Sequence, residues 1–207
     1  MPGGVDDVTA PVILAFGDSL IAGYGVEPSQ SFAAQLEVQM QTHQAGIRVI
    51  NAGVSGDTTS DALARLPQVL EHLAERPDLA IVQLGANDLL RRTSLKTIRA
   101  NLDAIIAELK RNGIPVLLAT IEAPVFFGAF GRACAAVYQD LSNKHAIRCA
   151  SFLPRGMFGS RTYCLRDRLH PNAHGISTIA KRFRLAVIAA LPAAGEAEAE
   201  LQPGAAC

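Results

Sequence analysis

Short apolar runs of strand length alternate with longer stretches of helical spacing along this chain of 207 residues. A strand buried on both faces reads as a continuous apolar run, and a helix burying one side repeats apolar residues three and four apart. Pro11 to Phe16 is such a run and stops at Gly17; Ile47 to Asn51, Leu79 to Leu84, Pro115 to Thr120 and the weaker Ala146 to Phe152 are the others. Between them, Ser31 to Gln44 carries Phe32, Leu36 and Met40, and Thr58 to Glu75 carries Ala62, Leu63, Leu66, Val69, Leu70 and Leu73 in spite of Pro67. Lys96 to Arg111 repeats Ile98, Leu102, Ile105, Ile106 and Leu109 and ends at Asn112-Gly113, a helix stop signal. Arg132 to His145 and Ala173 to Leu191 complete the helices. Strand and helix in this order predict an α/β fold: a five-stranded parallel sheet, helices on both faces and right-handed crossovers.

That architecture directs attention to the residues just after each strand. Ligands of open parallel sheets bind beyond the carboxyl ends of the strands, where the strand order reverses. After the first strand comes Gly17-Asp18-Ser19-Leu20. A serine there presents its hydroxyl to the crevice, although a turn or cap serine has the same local signature. After the second come Gly53 and Val54-Ser55-Gly56-Asp57-Thr58, whose glycines let backbone pass close to a ligand and expose an N–H. A plain turn with Asp57 or Thr58 capping the next helix reads equally well. After the third comes Gly85-Ala86-Asn87-Asp88, where a side-chain amide can donate to a developing oxyanion or merely close an Asx turn. Ahead of the last helix lies Asp167-Arg168-Leu169-His170-Pro171. A carboxylate three residues before an imidazole can orient it and leave its second nitrogen free as a base. Each signal is weak alone. Together they supply a hydroxyl, a base, an orienting acid and oxyanion donors, the parts needed for acyl transfer.

The order GDSL (Gly17 to Leu20), GxSGD (Gly53 to Asp57), GxND (Gly85 to Asp88) and DxxHP (Asp167 to Pro171) resembles the GDSL or SGNH hydrolases. Gly17 to Tyr24, Ser55 to Thr58, Leu63 to Pro67 and Ala136 to Tyr138 are similar to the bacterial branch of multifunctional thioesterase I/lysophospholipases and arylesterases. The resemblance runs from about Val12 to Leu191. It implies a flavodoxin-like three-layer fold, with Ser19 as nucleophile, His170 as base and Asp167 as its orienting acid. It also implies an oxyanion hole from the N–H groups of Ser19 and Gly56 and the side chain of Asn87. Substrates would be small acyl esters or thioesters, and neither metal nor cofactor is needed. Leu20, Leu89, Ile121, Phe126 and Phe127 are the residues expected to line an acyl pocket, with Leu89 to Arg92 as a lip beside it. A carbohydrate O-acetyl esterase is the alternative, disfavoured by 5% aromatic residues and no Trp. A non-catalytic α/β binding domain is the third reading, opposed by Ser19, Asn87, Asp167 and His170 all being present.

Other features carry less. Lys plus Arg and Asp plus Glu number 19 each, so net charge provides no footprint for nucleic acid or an anionic membrane. No apolar run approaches the ~20 residues that span a bilayer. Met1 to Ala10 lacks a signal peptide's pattern, which points to the cytoplasm, or to the periplasm or outside for a trimmed form. Residues 1–191 read as a single hydrolase domain and 192–207 as a disordered tail. The four cysteines, Cys134, Cys149, Cys164 and Cys207, show no metal spacing and read as buried or incidental thiols. His43, His72 and His145 are expected to be solvated, and His174 to be a surface residue with no partners for a metal site. Asp18 is read as a local hydrogen-bonding partner and Asp57 as a turn or cap residue. Leu153 to Arg168 has no period and is expected to be a loop with no assigned ligand.

Overall fold

The computed structural model describes residues 10–121 and 128–192. The strands are β1 (Val12–Gly17), β2 (Arg48–Gly53), β3 (Leu79–Gln83), β4 (Val116–Thr120) and β5 (Arg148–Ser151). They form one sheet in the order β2-β1-β3-β4-β5, every neighbouring pair parallel. This is the flavodoxin-type order, and it reverses direction between β1 and β3. The helices are α1 (Ser19–Ala22), α2 (Phe32–Gln41), α3 (Thr59–Glu71), α4 (Ala86–Leu90), α5 (Leu95–Arg111), α6 (Gly128–His145) and α7 (Ala173–Ala190).

Alternation along the central strands builds two cores. Ile13 and Ala15 of β1 face α2 and α7, meeting Phe32, Leu36, Ile179 and Phe183. Leu14 and Phe16 face the other way, toward α3, α5 and α6, meeting Leu66, Leu102, Ile106 and Leu141. Phe32, Phe152 and Phe183 pack edge to face, with centroids 4.8–5.8 Å apart. Each fully buried side chain of this size contributes about 1.5–3 kcal/mol, so the three layers hold through burial. The edge strands β2 and β5 are only half covered, and β5 runs for just four residues. That is why its sequence signal is the weakest.

Helix starts follow local chemistry. Thr58 caps α3 through a capping box with Asp61, Ser94 caps α5 and Asn172 caps α7. α3 continues through Pro67. α6 begins at Gly128, four residues before the start that its periodicity suggests. Two short helices, α1 and α4, have no sequence counterpart above. Within 153–168 there is no helix or strand, only the start of an isolated bridge from Cys164 to Pro171. The expected tail lies, from 193 on, outside the described residues. No helix among the described residues is long and apolar enough to cross a membrane.

Candidate active site

Ser19 is the first residue of α1, directly behind the buried end of β1. Asp18 caps that helix, its Oδ1 accepting from the Leu20 N–H at 3.0 Å. The cap fixes the strand-to-helix turn on which Ser19 stands. Asp18 is wholly buried, and burial, reinforced by Asp57 and Asp88, pushes its carboxyl up to about 7. Ser19 keeps 8% of its surface exposed, enough to face the crevice.

His170 reaches Ser19 across 151 positions of sequence: the Ser19 hydroxyl donates to Nε2 at 3.0 Å. On its other side Nδ1 donates to Asp167 Oδ2 at 2.7 Å. Asp167 Oδ1 accepts from the backbone N–H groups of Leu169 and His170, at 2.9 and 3.0 Å. Partial burial works against the Asp167 charge, but these hydrogen bonds outweigh it and hold the carboxyl below its ordinary value. The turn that closes the loop puts Arg168 at φ 61, a left-handed conformation unusual for a residue with a side chain. Tyr24 lies against the imidazole, and Asn172 anchors the loop to the carbonyls of Thr162 and Cys164.

Asn87 sits in the first turn of α4, at the end of β3, and its Nδ2 donates to the Asp57 carbonyl at 2.8 Å. One amide hydrogen remains for another acceptor. Neither the Ser19 N–H, orphaned at a helix start, nor the Gly56 N–H has a hydrogen-bond partner among the described residues. Gly56 has φ 91, and its carbonyl accepts from Arg91 at 3.1 Å. Gly53 is needed for a different reason from the one the sequence suggested. A Cβ there would lie 2.2 Å from the Ala22 nitrogen, so its close neighbour is the backbone of α1 and no ligand.

A cleft beside Ser19 and His170 is walled by Leu20, Leu89, Leu90, Ile121, Leu153, Phe158 and Leu169. Leu20, Leu89 and Ile121, named from the sequence as pocket residues, are among those lining this cleft. Phe126 and Phe127 lie outside the described residues. Leu153 and Phe158 were not foreseen as lining residues. They come from the loop for which no ligand was assigned, and an aperiodic segment offers no local signal of which side chains turn inward.

Asp57 closes the turn after β2, its N–H donating to the Val54 carbonyl at 3.3 Å, while Thr58 caps α3; Asp57 Oδ2 also accepts from Arg65 Nε at 2.6 Å, a partner the sequence did not show. One reading of a single residue needs correction. His145 is not solvated. Its side chain is 13% exposed and bonds Asp103 Oδ1 at 2.6 Å, where Lys144 also pairs. His43, His72 and His174 are exposed as expected, His174 stacking on Tyr163. Cys134, Cys149 and Cys164 are free thiols. Among the described residues no group of three or more His, Cys, Asp or Glu could hold a metal ion.

Residues 15–176 match the model of the GDSL-like lipase/acylhydrolase family. The chain belongs to this family. As a GDSL acylhydrolase it is 33% identical, over 82% of its length and 84% of the relative's, to an arylesterase of Vibrio mimicus. It is 31% identical, over 79% of its length and 76% of the relative's, to thioesterase 1/protease 1/lysophospholipase L1 of Escherichia coli K12. Among solved structures it is similar to AlinE4, an SGNH-hydrolase family esterase. That match has a TM-score of 0.73 and 42% identity, and covers 89% of this chain and 98% of the other. The fold and the enzyme class expected from the four motifs are those found, and the reading as a binding domain without activity is set aside.

Proposed function

We propose that this GDSL acylhydrolase cleaves short- to medium-chain carboxylic esters and thioesters, aryl esters and lysophospholipids among them, through an acyl-enzyme on Ser19. The observation that carries the reading is the unbroken chain from Ser19 Oγ through both nitrogens of His170 to Asp167. A serine hydroxyl is a poor nucleophile at neutral pH. With the Nδ1 proton committed to Asp167, the Nε2 lone pair faces Ser19 and takes its proton as Oγ bonds to the carbonyl carbon. The carbonyl π pair moves to oxygen. The N–H groups of Ser19 and Gly56 and the second amide hydrogen of Asn87 would meet that oxyanion, and losing one such donor typically costs ~3–4 kcal/mol in the barrier. Collapse expels the alcohol or thiol, which leaves with the proton from Nε2. Water then repeats the sequence on the acyl-enzyme and restores Ser19. Asp167 stays ionised throughout and stabilises the imidazolium.

The leucine, isoleucine and phenylalanine wall supports an acyl chain as the bound group, since those side chains offer a sugar no hydrogen bonds. Hydrolysis of p-nitrophenyl esters of graded length by wild type and Ser19→Ala tests the proposal. Wild type is expected to turn over butyrate or longer esters and Ser19→Ala to be inactive, with a fluorophosphonate label on Ser19. Equal rates for the two proteins would sink the reading. A profile peaking sharply at acetate would favour the sugar O-acetyl esterase instead.

A further inference from the structure

Arg65 is the residue whose contacts go furthest beyond the triad. It sits on α3, outside the four blocks that hold the triad and the oxyanion donors, and its side chain is only 19% exposed. Nε donates to Asp57 Oδ2 at 2.6 Å and a terminal nitrogen donates to the Gly17 carbonyl at 3.0 Å. The guanidinium carbon lies 4.4 Å from the centre of the Phe16 ring. One planar, permanently charged group therefore ties the end of β1, two residues before Ser19, to the loop after β2. A lysine, with a single point of attachment, cannot reproduce that fork.

The consequence lies in what Asp57 carries. Its carbonyl holds Nδ2 of Asn87 at 2.8 Å, and the residue before it is Gly56. The Gly17 carbonyl that Arg65 grips also accepts from the Val54 N–H at 3.0 Å, which pins the far end of the same loop. Ser19, Gly56 and Asn87 stand on three separate β–α connections, and nothing local sets their relative positions. Arg65 joins the first connection to the second, and the Asp57 carbonyl joins the second to the third. Oxyanion donors act through preorganisation, so a shift of a few tenths of an ångström among them is felt in the transition state far more than in substrate binding.

We propose that Arg65 is the positioning residue of the oxyanion hole, holding the Gly56 N–H and the Asn87 amide on the point beside Ser19 where the charge develops. The proposal rests on the reading of Ser19 as nucleophile and adds to it a residue that touches no substrate.

The test compares wild type with Arg65→Met, Arg65→Lys and Asp57→Asn on p-nitrophenyl butyrate, after circular dichroism has shown each to be folded. Arg65→Met keeps an apolar stem on Phe16 and loses every donor. Its kcat is expected to fall about 10- to 100-fold with KM within about twofold, and affinity for a trifluoromethyl ketone analogue of the intermediate is expected to fall with it. Arg65→Lys should recover only part of the loss. In an Asn87→Ala background the Arg65→Met substitution should cost less, because one of the two donors that it positions is already gone. Folded Arg65→Met with kcat within about twofold of wild type, or equal costs in both backgrounds, would overturn the proposal. Should Arg65→Met not fold, Asp57→Asn carries the same comparison. Ser19→Ala, run alongside, separates the two ideas: activity in that variant overturns the triad reading, whereas a dead Ser19→Ala beside an unimpaired Arg65→Met overturns only the role of Arg65.

Discussion

Tyr24 sets its ring against the imidazole of His170, with centroids 4.4 Å apart and planes tilted by 40°. It is held there by a backbone that turns twice, at Gly23 (φ 84) and Gly25 (φ 73), while half of the side chain stays exposed. The ring packs on the imidazole, and such ring pairs contribute about 0.5–1.5 kcal/mol. Tyr24→Phe should therefore keep wild-type kcat. Tyr24→Ala should lower it about 3- to 10-fold, as measured by steady-state ester hydrolysis. Equal rates in all three proteins would remove the ring from the account.

Asp18 makes stability depend on pH in a direction opposite to that of a paired carboxylate. Its ordinary value is 3.8 and burial raises it to about 7 in the fold. The folded protein thus holds a proton that the unfolded chain has released between those values. The stabilisation is complete below pH 3.8 and is lost as pH rises through about 7. Oδ2 completes no hydrogen bond, and the nearby Gln83 amide lowers the carboxyl by less than burial raises it. Asp18→Asn keeps a cap oxygen for the Leu20 N–H and cannot ionise. Urea unfolding should show the variant gaining on wild type by more at pH 8 than at pH 5.5. A difference that is the same at both pH values would contradict the buried proton.

Gly85 is the residue on which the Asn87 connection turns. It has φ 112, and a Cβ there would lie 2.2 Å from the Tyr138 hydroxyl, which donates to the Leu84 carbonyl at 2.7 Å. Gly85→Ala should cost more than about 2 kcal/mol, from backbone strain and a displaced buried hydroxyl. Adding Tyr138→Phe should return part of that loss, because the clashing oxygen is gone. Thermal unfolding of both variants checks this; a double variant less stable than Gly85→Ala alone would argue against the clash.

Phe158 closes the apolar cleft from the side of the long loop, and 38% of its surface is exposed. Truncation to Ala should raise the kcat/KM ratio of octanoate to butyrate ester about 3- to 10-fold, and Phe158→Trp should lower it, as pocket methylenes are worth ~1–3 kcal/mol each in discrimination. An unchanged ratio in both variants would place the chain-length determinant elsewhere.

Much of the fold is legible in the residues themselves. Helices and strands of useful length declare themselves by period, and the apolar runs of β1 and β3, the latter ending on Gln83, announce a sheet covered on both sides. The motifs after β1, β2 and β3 and before α7 mark the site because any open parallel sheet binds ligands at that end. What escaped has a physical reason in each case. α1 and α4 are four and five residues long, too short to show a period, and owe their starts to an Asp cap and a left-handed glycine. His145 looked solvated because its partner, Asp103, lies 42 positions away on another helix.

The amino-acid order alone determined the kinds of element, their sequence and the chemical groups that stand at their ends, since each follows from contacts within a few residues. Only the closed tertiary structure decided which of those groups meet: that Ser19 finds His170, that Arg65 bridges Gly17 and Asp57, and that Leu153 and Phe158 turn inward beside Leu20. Such meetings depend on packing between segments far apart in the chain, whose relative placement no local pattern of side chains can record.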